Sequence, residues 1–175
     1  MYITSTQLET HLQTSFNTAS KSQLDDVIIP AFEAWVNNYI GGSFDDDNPA
    51  VTVKKDGKGL PAVWSNHLDI TEVKDDDKVI DADDYVLTET HVVKKTDEFG
   101  DGVQNIELTG TKRNVPPEVK AAMLYLVGKV LQPSKVSGAT EEKYMDYTIK
   151  YSGEVETYVD STVTNLLGKY RAINV

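Results

Sequence analysis

The chain has no cysteine among its 175 residues. A disulfide framework, a thiolate zinc site and a cysteine nucleophile are therefore excluded together, and the composition suits a reducing compartment. Long apolar runs are also missing, since the longest span only a few residues where a membrane helix needs ~20. The opening stretch, "MYITSTQLETHLQ", has neither the basic nor the apolar region of a signal peptide, so a soluble, unexported protein is expected. Positive charge is scarce: 17 Lys and Arg stand against 28 Asp and Glu, a net charge of −11. Wrapping a nucleic-acid backbone requires basic side chains to neutralise phosphates, which argues against that role, and the acidity fits solubility.

Catalytic signatures are missing too. There is no G-x-G-x-x-G, "GKG" at Gly57–Gly59 lacks the P-loop spacing, and no G-x-S-x-G occurs. His11, His67 and His91 lie far apart, none in an H-E-x-x-H helix. His67, in "SNHLD", reads as a solvated loop histidine. No enzyme activity and no cofactor are expected.

What the chain does have is a change of period. A length of 175 residues suits one domain, 1–175, and a core burying roughly two-thirds of the unfolded surface. Thr6 with Glu9 suggests a capping box starting a helix over about 6–16, and Ser22 with Asp25 repeats the device before a helix over 22–40. In that second helix Leu24, Val27, Ile28, Ala31, Trp35 and Tyr39 fall at helical spacing on one face. Pro30 predicts a kink near Asp26 or a fresh start close to Pro30, and Gly41-Gly42 a sharp stop.

From Ala50 the period drops to two. Ala50–Val53 and Leu60–Trp64 read as a hairpin turning at Asp56-Gly57. Further short strands at 70–73, 78–80, 85–87, 91–94 and 103–108 complete a small antiparallel meander over about 50–110, with the helices as its cover. Helical spacing returns at 117–131, where Val119, Ala122, Met123, Leu126, Val127 and Val130 form the stripe. "EEKYMDYTIKYS" then alternates as a strand, a helix covers 154–167, and 168–175 form a tail. The expected class is α+β: about four helices in a bundle, with the meander inserted between the second and third.

Two kinds of candidate surface stand out. Asp45-Asp46-Asp47, Asp75-Asp76-Asp77 and Asp81-x-Asp83-Asp84 have the hard oxygens calcium prefers, but lack the EF-hand pattern. They read as solvated turns, with a weak cation site and catalytic carboxylates as the alternatives. Nine tyrosines, several near the C-terminus, suit either core or interface.

Three stretches together resemble the head–tail connector, or adaptor, family of tailed bacteriophages. They are the helix pair closing in "WVNNYIGGSF", the segment with Ile70, Val73, Asp84, Tyr85 and Leu87, and the helix–strand–helix order ending in Tyr170-Arg171. The resemblance spans nearly the whole chain and rests mainly on order. It implies a virion structural protein at the head–tail interface, assembled in the host cytoplasm as a ring, usually twelve-fold. Such a ring sits under the portal, extends the DNA channel and docks the next neck or tail-completion component. Its partners would be further copies of itself, the portal and that component, with genomic DNA passing through unread and no membrane. Under that reading Tyr158, Tyr170, Arg171, Ile173 and Val175 form a portal or subunit interface, and Asp45–Asp47 or Asp75–Asp77 line the channel. A tail-completion or capsid-accessory protein, and a calcium-binding interaction module, remain alternatives.

Overall fold

A computed structural model describes residues 1–131 and 161–171. The chain divides into two compact units, one of Met1–Tyr39 with Pro116–Lys169, the other of Ile40–Val115 with Tyr170–Val175. The class is α+β with antiparallel sheets. The strand expected around Tyr147–Tyr151, and the start of the helix expected from Glu154, lie outside the described residues.

The helical unit opens with α1, Ser5–Leu12. Its capping box uses Thr4 and Gln7, two residues ahead of the pair the sequence suggested, and the helix stops at Leu12 because Gln13 turns left-handed, φ 52°. Asn17, not Ser22, caps α2, Thr18–Gln23; the Ser22 hydroxyl instead donates to Asp26 at 2.7 Å. α4, Pro117–Leu131, matches its expected span and buries Val119, Ala122, Met123, Leu126 and Val127. It packs against α1 and against α5, Ser161–Leu167, which buries Val163 and Leu167. Gly128 admits α1, since a Cβ there would lie 3.1 Å from Leu12.

Between α2 and α3, Ile29–Ile40, the backbone makes a π turn over Leu24–Ile28. The Ile29 N–H reaches back five residues to the Leu24 carbonyl. Pro30 explains it: a proline in a helix has no N–H to donate and its ring clashes with the carbonyl four residues back. Widening the turn just ahead of Pro30 relieves that clash without ending the helix. The expected disturbance near Asp26 is thus present as an inserted residue.

The insertion moves the buried stripe by one position. The chain buries Leu24, Ile28, Ile29, Phe32, Val36 and Ile40, where an uninterrupted period selected Leu24, Val27, Ile28, Ala31, Trp35 and Tyr39. Val27 is 49 % exposed and Ala31 is exposed. Trp35 and Tyr39 are half-buried and stack on each other, ring centroids 5.3 Å apart. Asp25, inside the π turn, accepts the Ser5 N–H at 2.8 Å and the Ser5 hydroxyl at 2.7 Å, tying the start of α1 to it.

The β unit is not a meander. β1 (Ala50–Lys58), β3 (Leu68–Asp75), β4 (Lys78–Val79) and β7 (Asp101–Lys112) form one sheet in the order β1-β7-β3-β4. β2 (Ala62–Trp64), β5 (Tyr85–Leu87) and β6 (His91–Lys94) form a second, in the order β2-β6-β5. The sheets share one core of Val63, Leu68, Val73, Val92, Phe99, Ile106 and Leu108, so the insertion has a core of its own rather than leaning on helices for one. Asp56-Gly57 is not a hairpin turn. It is a bulge inside β1, whose partner is β7. There the Gly57 N–H donates to Asn105 Oδ1 at 2.7 Å, and a Cβ on Gly57 would fall 1.7 Å from the Gly100 carbonyl.

The register shift in α3 has a direct test. Phe32→Ala is expected to cost about 3–5 kcal/mol of unfolding free energy as a buried-aromatic truncation. Ala31→Ser, on the exposed side, should change it by less than about 0.5 kcal/mol. Urea denaturation of the two variants checks this; equal costs would contradict the shifted stripe.

Candidate functional site

In the β3–β4 hairpin, Asp76 and Asp77 are the two turn residues, with φ 48° and 63°. Both values are positive, as a type I′ turn requires, and Asp is among the few residues that tolerate them. Asp75 lies at the strand end and is enclosed. Its carboxylate accepts Lys94 Nζ at 2.8 Å and the Gly100 N–H at 3.0 Å. Asn105 Nδ2 adds a longer contact at 3.3 Å. Asp81 caps a single 3-10 turn, Ala82–Asp84, by accepting the Asp83 N–H at 3.0 Å. The Lys95 N–H donates to the Asp84 carbonyl at 2.9 Å. These bonds gather the turns at 75–77, 81–84 and 95–101 at one end of the β unit, where Asp76, Asp77, Asp83, Asp84, Asp97 and Asp101 are exposed.

Asp45–Asp47 lie elsewhere. The Asp45 N–H donates to the Arg113 carbonyl at 2.9 Å, and Asp46 Oδ1 accepts the Val115 N–H at 2.9 Å. They sit past the far end of β7, on the order of 20 Å along the strand from the partner of Asp75. The two acidic turns therefore do not converge. Among the described residues no group of three or more His, Asp or Glu is arranged to hold a metal ion.

The second region surrounds the glycines after α3. Gly41 has φ 74° and ends the helix as expected. Gly42 serves another purpose: the His67 ring lies against it, and a Cβ on Gly42 would fall 2.3 Å from His67 Nδ1. His67 is 3 % exposed, which overturns its reading as a solvated loop residue. Among the described residues its Nδ1 has no hydrogen-bond partner, nor do Trp64 Nε1 and Asn66 Oδ1. Burial, and then the charges of Lys55, Lys112 and Arg113, lower the His67 pKa to about 4. Lys55 is on the inner face of β1; burial lowers its pKa, and its Nζ reaches the Gly41 carbonyl at a long 3.4 Å. Arg113 closes the cluster, donating to Asp69 at 2.7 Å and to the main-chain carbonyls of Glu89 and Asn66 at 2.8 and 3.2 Å.

Of the expected interface residues, Tyr158, Ile173 and Val175 lie outside the described residues. Arg171 is exposed. Tyr170 is half-buried in the β unit: its ring meets Phe44 edge-on, centroids 5.6 Å apart, and its carbonyl accepts Asn66 Nδ2 at 2.7 Å. The sequence reading gave no role to Phe44 or Asn66 and took His67 as solvated. The second glycine was the available signal, because a helix stop uses one.

An α+β chain with a two-sheet β unit between helices invites comparison with known proteins. No family model matches it, and no curated protein is similar to it in sequence. Solved structures are similar in fold. They include a chain from the neck of an empty GTA particle computed with C6 symmetry, with TM-score 0.51 and 10 % identity. The match covers 99 % of this chain and 91 % of that one. The chain thus shares its fold with a neck component.

The buried imidazole sets a pH dependence. Unfolded, His67 titrates near its ordinary 6.5; folded, near 4. The unfolded chain binds the proton first, so stability present above pH 6.5 is lost as pH falls toward 4, by up to about 3 kcal/mol. Urea denaturation at pH 7, 5.5 and 4.5 should show the stability advantage of wild type over His67→Gln narrowing on acidification. A constant difference would refute it.

Proposed function

We propose that this chain is a virion structural protein of the head–tail interface, an adaptor whose copies form a ring under the portal and extend the DNA channel. The observation that carries the reading is the fold likeness to a neck chain over 99 % of this sequence. The order of motifs ending in Tyr170-Arg171 supports it independently. A ring requires head-to-tail interfaces that close by rotation. Val27 in the π turn and the line of Ala31, Trp35 and Tyr39 along α3, off the core, offer apolar and aromatic area of the kind such interfaces use.

Within this reading the residues from Arg171 onward contact the portal. The channel-facing acids are those at the Asp75–Asp77 end, where exposed carboxylates from three turns are gathered. Asp45–Asp47 instead lie beside Arg113 and serve its loop. Acids lining a lumen repel DNA and keep it moving. No chemical step is assigned to the chain; its surfaces do the work.

Purified protein mixed with DNA-filled, portal-bearing heads that lack neck proteins should co-sediment with them and add a ring of density below the portal. Removing residues 172–175 should reduce retention by about tenfold or more, the effect of losing one anchor. Protein that leaves the heads bare defeats the assignment. Asp76→Lys with Asp77→Lys should slow genome ejection from completed particles, more so at low salt; unchanged ejection removes the channel role from these turns.

A further inference from the structure

Asn66 sits between β2 and β3 on a closed turn in which the Leu68 N–H donates to the Ser65 carbonyl at 2.9 Å. The Ser65 N–H in turn donates to the Thr90 carbonyl at 2.8 Å. Asn66 is 4 % exposed, and its main-chain carbonyl is held by Arg113. Its side-chain Nδ2 donates to the Tyr170 carbonyl at 2.7 Å, while Oδ1 has no partner among the described residues. The Tyr170 carbonyl thus supplies a hydrogen bond that this buried amide needs. Beside it Phe44, 4 % exposed, receives the Tyr170 ring in the edge-on geometry that aromatic pairs favour. Phe44 is itself fixed by the Asp45–Arg113 bond that follows it.

Two buried, anchored side chains thus meet the main chain and the ring of one residue near the C-terminus. We propose that Phe44 and Asn66 are positioning residues for the C-terminal tail, clasping Tyr170 so that the residues after it leave the β unit from one fixed point. Tyr170 then acts inside its own subunit rather than as an anchor on a partner, and contact with the partner falls to Arg171 and the residues beyond it. A fixed start for the segment that docks lowers the orientational entropy its docking must overcome. The consequence for docking rests on the reading of the tail as portal-facing; the clasp does not.

The clasp is tested on the full chain without a portal. Trypsin cuts after Arg171, and Asn66→Asp leaves the sequence around that bond unchanged while removing the donor to Tyr170. Cleavage there should become about tenfold faster, the effect of losing one buried hydrogen bond, while cleavage elsewhere keeps its rate. Phe44→Leu, which keeps most of the buried volume, is the second variant should Asn66→Asp fail to fold by circular dichroism. Unchanged cleavage in a folded variant overturns the proposal.

Retention on portal-bearing heads then separates the two ideas. Clasp variants that lose retention as the 172–175 deletion does support positioning. Clasp variants that retain fully, while the deletion does not, overturn it. If cleavage rises but neither deletion nor variants affect retention, the clasp stands and the portal-facing reading falls.

Discussion

A proline in the middle of a helix must be accommodated somewhere, and in this chain the accommodation decides which residues are core. Pro30 can neither donate a hydrogen bond nor tolerate the carbonyl four residues back. The backbone answers with the π turn at Leu24–Ile28, and everything after it is rotated by one residue. Phe32, Val36 and Ile40 go inside, while Trp35 and Tyr39 move to the flank and stack on each other. Asp25, carried on the turn, becomes the acceptor for both donors of Ser5. One imino ring thereby sets the register of α3, the contact with α1 and the position of the aromatic pair.

The β unit rests on constraints of a related kind, in which an absent side chain admits a neighbour. Gly57 lies against the Gly100 carbonyl, and Gly42 lies under the His67 ring. Aspartates complete these approaches as internal acceptors: Asp75 for Lys94 and Gly100, Asp46 for Val115, Asp81 for its own turn. The acidity of the chain is therefore of two sorts. Part of it holds turns together, and another part, including Asp76, Asp77, Asp83, Asp84, Asp97 and Asp101, is exposed at one end of the β unit. That division separates carboxylates used inside the fold from carboxylates left to solvent.

Much of this was legible in the sequence. The α+β class followed from the change of hydrophobic period, and α4 and the strands at 85–87 and 91–94 stand where the spacing put them. Pro30 announced a disturbance near Asp26. What the pattern could not carry was the partner of each strand. β1 pairs with β7, some fifty residues on, so Asp56-Gly57, a strong local turn signal, became a bulge. His67 was misjudged for the same reason: a polar tripeptide between two strands looks solvated until the elements that cover it are known.

By itself the sequence determined what depends on near neighbours: the span of α4, the disturbance ahead of Pro30, the left-handed stop at Gly41 and the lack of thiol chemistry. Tertiary structure alone decided which face of α3 is buried, which strands share a sheet, that His67 lies under Gly42 and that Tyr170 rests on Phe44 and Asn66. The physical reason is range. Backbone dihedral preferences and capping bonds act within a few residues and are written locally. Burial and strand pairing join residues dozens to a hundred apart, and only the folded chain chooses among the partners that local patterns leave equivalent.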